Sequence, residues 1–251
     1  MNVELVALCD IGNGCGTIRA GAEFAADEGL ARTYVNEGRA VPRAGARLWS
    51  GPHWPAATGV ILASGPSMNG ADAAAVRAWR DGAQDRHVIA VNTTFRLAPW
   101  ADVIYGCDGG WWKVYGDEVR AVCDGQLWSQ DSAVIGQARM RWIESRLAPG
   151  LSRRAGVIHQ GMNSGYQAIG FAHQTGAGRV ILLGFDAHGS HWHGAHPRPL
   201  TNPRASLFID WIRWFDGLAS DCAKRGLRVT NCSRETSLLM FEQMPLEAAL
   251  A

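Results

Sequence analysis

From residue 58 onward the chain alternates between short apolar runs and longer stretches whose apolar residues recur at helical spacing. Runs rich in Val, Ile and Leu at 59–63, 87–91, 102–106, 156–159, 180–184 and 227–230 read as strands, and their lack of polar alternation suits strands covered on both faces. Between them, the Ala/Val/Trp spacing of 71–80 predicts a helix packed on the sheet. A longer helix over 203–225 carries Phe208, Trp211, Ile212, Phe215, Leu218, Ala219 and Cys222 on one wide apolar face. Strand and helix in turn predict an α/β fold, a mainly parallel sheet with helices on both faces.

The first forty residues follow another rhythm. A strand-like run over 3–8 leads into a Gly turn at 10–14, a second short strand region over 16–24, a helical piece over 27–37 and a last strand by residue 42. Short strands broken by glycines predict a small β-rich module over 1–44. Residues 45–57, rich in Pro, Gly, Ala and Trp, read as a linker, and 58–251 as the main domain.

In an open parallel sheet, ligand-binding groups collect in the loops that follow the carboxyl ends of the strands. Ser64-Gly65-Pro66-Ser67 follows the first strand of the main domain. Its glycine would let backbone N–H groups approach a phosphate, with hydroxyls from Ser64 and Ser67; the competing reading is a plain chain reversal. The turn is neither Gly-x-Gly-x-x-Gly nor a P-loop, because no Gly-Lys-Ser/Thr follows. Asn92 ends the second strand and suits a base or ribose edge, or simply a turn. Asp108 ends the third and suits a ribose hydroxyl, a Mg²⁺ ion or solvent. Asn163-Ser164-Gly165 opens a helix, and Gly184-Phe185-Asp186 closes a buried strand.

Four of the eight histidines fall within residues 188–196. His191-x-His193-x-x-His196 resembles the zinc signature of metallo-β-lactamase hydrolases, but Ala195 stands where that motif needs Asp. A single imidazole near neutral pKa suits a general base. The expectation is therefore His191 as base, assisted by His193 or His196 and oriented by Asp186, without a metal. The alternatives are a zinc site on these histidines with Asp186 as fourth ligand, and histidines that bind phosphate, cap loops or hydrogen-bond the backbone.

Composition narrows the partners. A net charge of +1 with 19% charged residues gives no field for nucleic acid or an anionic membrane. No run approaches the roughly 20 apolar residues of a membrane span, and the start lacks a signal-peptide layout. Six scattered cysteines without a Cys-x-x-Cys pair point to reduced thiols and a cytoplasmic protein.

Taken in order, Ser64-Gly65-Pro66-Ser67, Asn92-Thr93-Thr94-Phe95, Asn163-Ser164-Gly165, Leu183-Gly184-Phe185-Asp186 and Ser190-His191-Trp192-His193-Gly194 resemble the CMP-sialic-acid-using bacterial sialyltransferases. They also resemble a broader family that includes phage proteins and archaeal pterin pyrophosphokinase-like proteins. The resemblance covers roughly 58–240. It implies a Rossmann-like domain whose Gly65, Pro66, Ser67, Asn92 and Ser164 contact a nucleotide-activated donor such as a CMP-sugar, with His191 as base toward a glycan or other hydroxyl acceptor. The family's lid tyrosines would fall to Tyr105 or Tyr115. Pyrophosphate transfer from ATP, with Mg²⁺ on Asp108 and Asp186, is the alternative chemistry, and a non-catalytic phage structural or binding protein the third reading. Thr17-Ile18-Arg19-Ala20-Gly21 and Glu37-Gly38-Arg39-Ala40-Val41 resemble the small SH3-like modules that begin many bacteriophage proteins, which implies docking to another phage protein through residues 1–44.

Overall fold

The computed structural model describes residues 2–12, 16–43 and 51–251. Residues 13–14 of the expected Gly turn, Cys15 and the 45–50 part of the expected linker lie outside the described residues.

The N-terminal module is an antiparallel sheet in which β1 (Asn2–Ala7) lies between β4 (Glu23–Asp27) and β5 (Ala40–Pro42), with β2 (Ile11–Gly12) paired to β3 (Thr17–Ile18). Helix α1 (Glu28–Asn36) starts at Asp27, whose carboxylate accepts from the Leu30 N–H and satisfies one of the helix's open donors. Leu5, Ile11, Ala31, Tyr34 and Val35 form a core of the module's own.

The main body is an eight-stranded, wholly parallel sheet. The chain enters at β6 (Thr58–Leu62) and steps outward through β7 (Arg86–Val91), β8 (Val103–Tyr105), β9 (Gln126–Ser129) and β10 (Met140–Trp142). It then returns to the other side of β6 as β13 (Arg179–Leu183), continuing to β14 (Arg228–Asn231) and β15 (Glu242–Gln243). The strand order thus reverses between β6 and β13, the place where a doubly wound sheet opens a crevice at its carboxyl edge.

Alternation along the strands explains why two helical layers are needed. Val60, Leu62, Val88, Ala90, Ile104, Ile181 and Leu183 point to one face, packing with Ala73 and Val76 of α2 (Gly70–Asp81) and Trp111, Trp112 and Val119 of α3 (Gly109–Val122). The intervening Ile61, Ile89, Val91, Val103, Val180 and Leu182 point to the other, against α4 (Ser164–Thr175) and α5 (Ala205–Lys224). Both faces are apolar because both are covered.

The run at 156–159 does form a strand, β12 (Val157–His159), but among the described residues it pairs with β11 (Glu144–Arg146) alone and stays outside the large sheet. Ile158 is buried in the core on the α4 side, so its apolar character records packing, not membership of the sheet. The final part of the expected linker is also packed: Trp54 is 6% exposed, stacks on His87 with ring centroids 4.4 Å apart, and donates its N–H to the Thr175 carbonyl. Among the described residues no helix is long and apolar enough to cross a membrane.

Candidate functional site

A cavity of about 410 Å³ opens at the carboxyl edge where strand order reverses. It gathers Ser64, Gly65, Asn92, Asp108, Asn163, Ser164, Gly165, His191 and His196 from segments far apart in sequence. Pro66, Ser67, Asp186 and His193 do not line it.

The turn after β6 is organised from beneath. Asp186, 1% exposed, accepts from the Ser67 N–H at 3.3 Å, and Gly65 donates its N–H to the Gly184 carbonyl at 2.8 Å. The Ser64 hydroxyl is within hydrogen-bond distance of the Val91 carbonyl and the Thr94 hydroxyl. Pro66 has no N–H to give. The donors expected to cradle a phosphate at Gly65, Ser67 and Ser64 are therefore used inside the fold, and this turn contributes shape rather than an anion nest. Asp186 is likewise a brace under the turn and not a group in the cavity, so it shares no cavity wall with the exposed Asp108 for a Mg²⁺ ion. Burial raises the Asp186 pKa from its ordinary value, opposed by the hydrogen bonds it accepts from Ser67.

On the other side of the reversal point the Asn92 amide is the donor that remains. Asn163 caps α4 by accepting from the Gly165 and Tyr166 N–H groups. Ser164 donates to the Asn92 side-chain oxygen at 3.4 Å, while its own oxygen accepts from the Cys107 N–H. That orients Asn92 so that its amide nitrogen, which makes no hydrogen bond among the described residues, is left for a ligand in the cavity it lines. Asn92 also has φ of 50°, and the cavity-lining Met162 and Ala187 have φ of 59° and 54°. Non-glycine residues in this region are uncommon, and such strain collects at ligand sites.

No family model, curated protein or solved structure matches the chain. The site is accordingly characterised by its own chemistry.

Sequence reasoning missed several of its walls. Gln130, Gln160 and Gln167 bring a chain of amides: Gln130 donates to the Cys107 carbonyl, Gln160 to Ser145, and Gln167 to the Gln160 carbonyl. Phe208 and Trp211, read as core positions of α5, form an edge-to-face pair at 5.3 Å on the cavity wall. The tyrosines considered for a lid lie elsewhere. Tyr105 is 0% exposed and donates to Gln167 at 2.6 Å, while Tyr115 is buried beside Trp111.

The loop after β13 carries the histidines. Trp192 fastens it, its backbone N–H donating to the Ser64 carbonyl at 3.1 Å and its indole N–H to Thr94 at 3.2 Å. At the other end Asn202 accepts from the His196 N–H at 2.7 Å and donates to the His196 carbonyl. Between these anchors His191 and His193 stack with centroids 4.9 Å apart and nearly parallel planes, and His196 lies 4.6 Å from His191. Burial lowers the pKa of all three. For His193 burial, then the neighbouring imidazoles, take it to about 4; for His196 burial, then His191, do the same. The lowered pKa values favour neutral imidazoles, which carry lone pairs.

Proposed function

We propose that the cavity holds a nucleotide-activated donor, of the CMP-sugar kind, and that the protein transfers its sugar to a hydroxyl of a glycan or similar acceptor presented beside the histidine loop. The observation that carries this reading is the position of the cavity, at the reversal of strand order in a parallel sheet, with α4 beginning at its wall. The amino end of a helix favours an anion through its dipole, and Ser164 stands there on the cavity wall. Because Asn163 takes the Gly165 and Tyr166 N–H groups, that field and not a set of open donors is what the helix offers. Asn92, held by Ser164, supplies a directed amide donor for the base or ribose, and the Phe208–Trp211 pair supplies apolar surface for a ring. A volume of about 410 Å³ falls within the usual range for small-molecule sites. His191 and His196 line the same cavity, which supports activation of the acceptor hydroxyl at the histidine cluster.

The reading is tested by thermal shift with CMP-, UDP- and GDP-sugars and with ATP, each with and without Mg²⁺. A nucleotide sugar at about 100 times its Kd should stabilise by roughly 2.7 kcal/mol, or roughly 5–10 °C for a chain of this size. Asn92→Ala should remove most of that shift without changing the circular dichroism spectrum. A response confined to ATP with Mg²⁺, or none to any nucleotide, would overturn it.

A further inference from the structure

We infer that His191, His193 and His196 form a three-imidazole site for a first-row divalent transition metal, with zinc the best match. The inference goes beyond the nucleotide reading and does not depend on it. One ligand-type nitrogen from each ring lies within 4.8 Å of the others. Zn–N bonds of about 2.0–2.1 Å in a tetrahedral site place ligand nitrogens about 3.4 Å apart, so small side-chain rotations close the set.

The stronger observation is that each of these rings has a nitrogen without a partner. His191 Nδ1, His193 Nε2 and His196 Nδ1 are each buried and without a hydrogen-bond partner among the described residues. A buried polar atom left unpaired costs roughly 1–3 kcal/mol, and native structures show few of them. Three in one spot, from residues two and three apart in a single loop, are unfavourable unless something shared binds them. The hydrogen bonds that Trp192 and Asn202 make to hold the loop use none of these three nitrogens.

The donor set also selects the ion. Among the described residues the group contains no carboxylate. Mg²⁺ and Ca²⁺ require oxygen ligands, whereas imidazole suits zinc and its first-row neighbours. Three protein ligands with a further position open is the pattern of a reactive zinc site, and a structural site would be closed by a fourth. Since His191 and His196 line the cavity, that open position would face it. The missing Asp at 195, which breaks the hydrolase-like spacing, removes only a ligand of a second metal. His191 then acts as a ligand and not as a free base.

The test uses the full chain, purified without a metal-affinity column. After equilibration with Zn²⁺ and desalting, the wild type should retain about one equivalent, and the Co²⁺-loaded protein should show the intense visible bands of a four- or five-coordinate site. His193→Gln and His196→Gln should each weaken Zn²⁺ binding by more than the roughly 10–100-fold that loss of a mere outer-shell partner costs. Failure of the wild type to retain Zn²⁺, or unchanged affinity in both folded variants, would overturn the site. Should neither variant fold, the wild-type Co²⁺ spectrum decides: only the weak bands of six-coordinate, solvent-like Co²⁺ would refute it. The readout is the metal itself, so a failed nucleotide screen leaves this result standing, and the reverse.

Discussion

At the scale of single residues, the site depends on positions where little else fits. A Cβ on Gly65 would overlap the Asp186 carboxylate and lie 2.5 Å from the Gly184 carbonyl oxygen. Gly184 is doubly constrained, with φ of 69° and a position for Cβ 2.5 Å from the Ala63 carbonyl oxygen. These two glycines let β6 and β13 come together at their ends, and Asp186 fills the space so created. Gly65→Ala should therefore cost about 3 kcal/mol or more, beyond ordinary overpacking because the clash includes backbone. A fall in Tm of roughly 6–12 °C follows for a chain of this length. Differential scanning calorimetry checks it, and a Tm within a degree or so of wild type would show that the close approach is relieved cheaply. The glycine was visible in the sequence as a turn former; its true role, closeness to a carboxylate 121 positions away, was not.

At the scale of elements, the histidine loop has no helix or strand of its own between β13 and α5 and depends on tethers. Trp192 is the main one, because it links the loop to both the turn after β6 and the short helix that follows β7. Trp192→Phe keeps an aromatic ring but removes the indole donor and leaves Thr94 short of one partner. Stability should drop by about 1 kcal/mol. Hydrogen exchange should speed up across residues 188–196 while the β7 amides keep their protection. Unchanged exchange in that loop would mean that the Asn202 contacts alone suffice. Helix α5 shows a related division of labour. Its apolar face, uniform in sequence, buries Leu218 and Cys222 in the core, while Phe208, Trp211 and Phe215 reach the cavity wall.

At the scale of the whole molecule, the module and the α/β body have separate cores, and residues 51–57 belong to the second. A chain starting at Gly51 keeps Trp54 on His87 and should fold and retain nucleotide-dependent stabilisation. One starting at Ala56 loses a buried tryptophan, worth about 3–5 kcal/mol by analogy with large-to-small core changes. Comparing their denaturant midpoints distinguishes the cases. If both fold equally well, Trp54 is dispensable; if the Gly51 chain is insoluble, the module is needed by the body, for instance through Gly38, which sits against Ile135 and Gly136.

The local pattern determined the central strands and most helices, because burial on two sheet faces demands apolar runs such as 59–63 and 180–184 and because helical spacing is a property of neighbours. The outer strands β9, β10 and β15, short and partly polar, gave no such run. It also marked the polar turns that follow those strands. Even α3 was present in the spacing of Trp111, Tyr115 and Val119, though the glycines at 109, 110 and 116 obscured it. Tertiary structure decided everything that depends on partners distant in sequence. It set β12 outside the sheet, gave the donors of Ser64, Gly65 and Ser67 to Val91, Thr94, Gly184 and Asp186, and freed the Asn92 amide by occupying its oxygen. It also brought three imidazoles together with their lone pairs unclaimed. A hydrogen-bonding group has the same sequence whether its partner is a ligand or the fold, and only the folded chain shows which of them is already there.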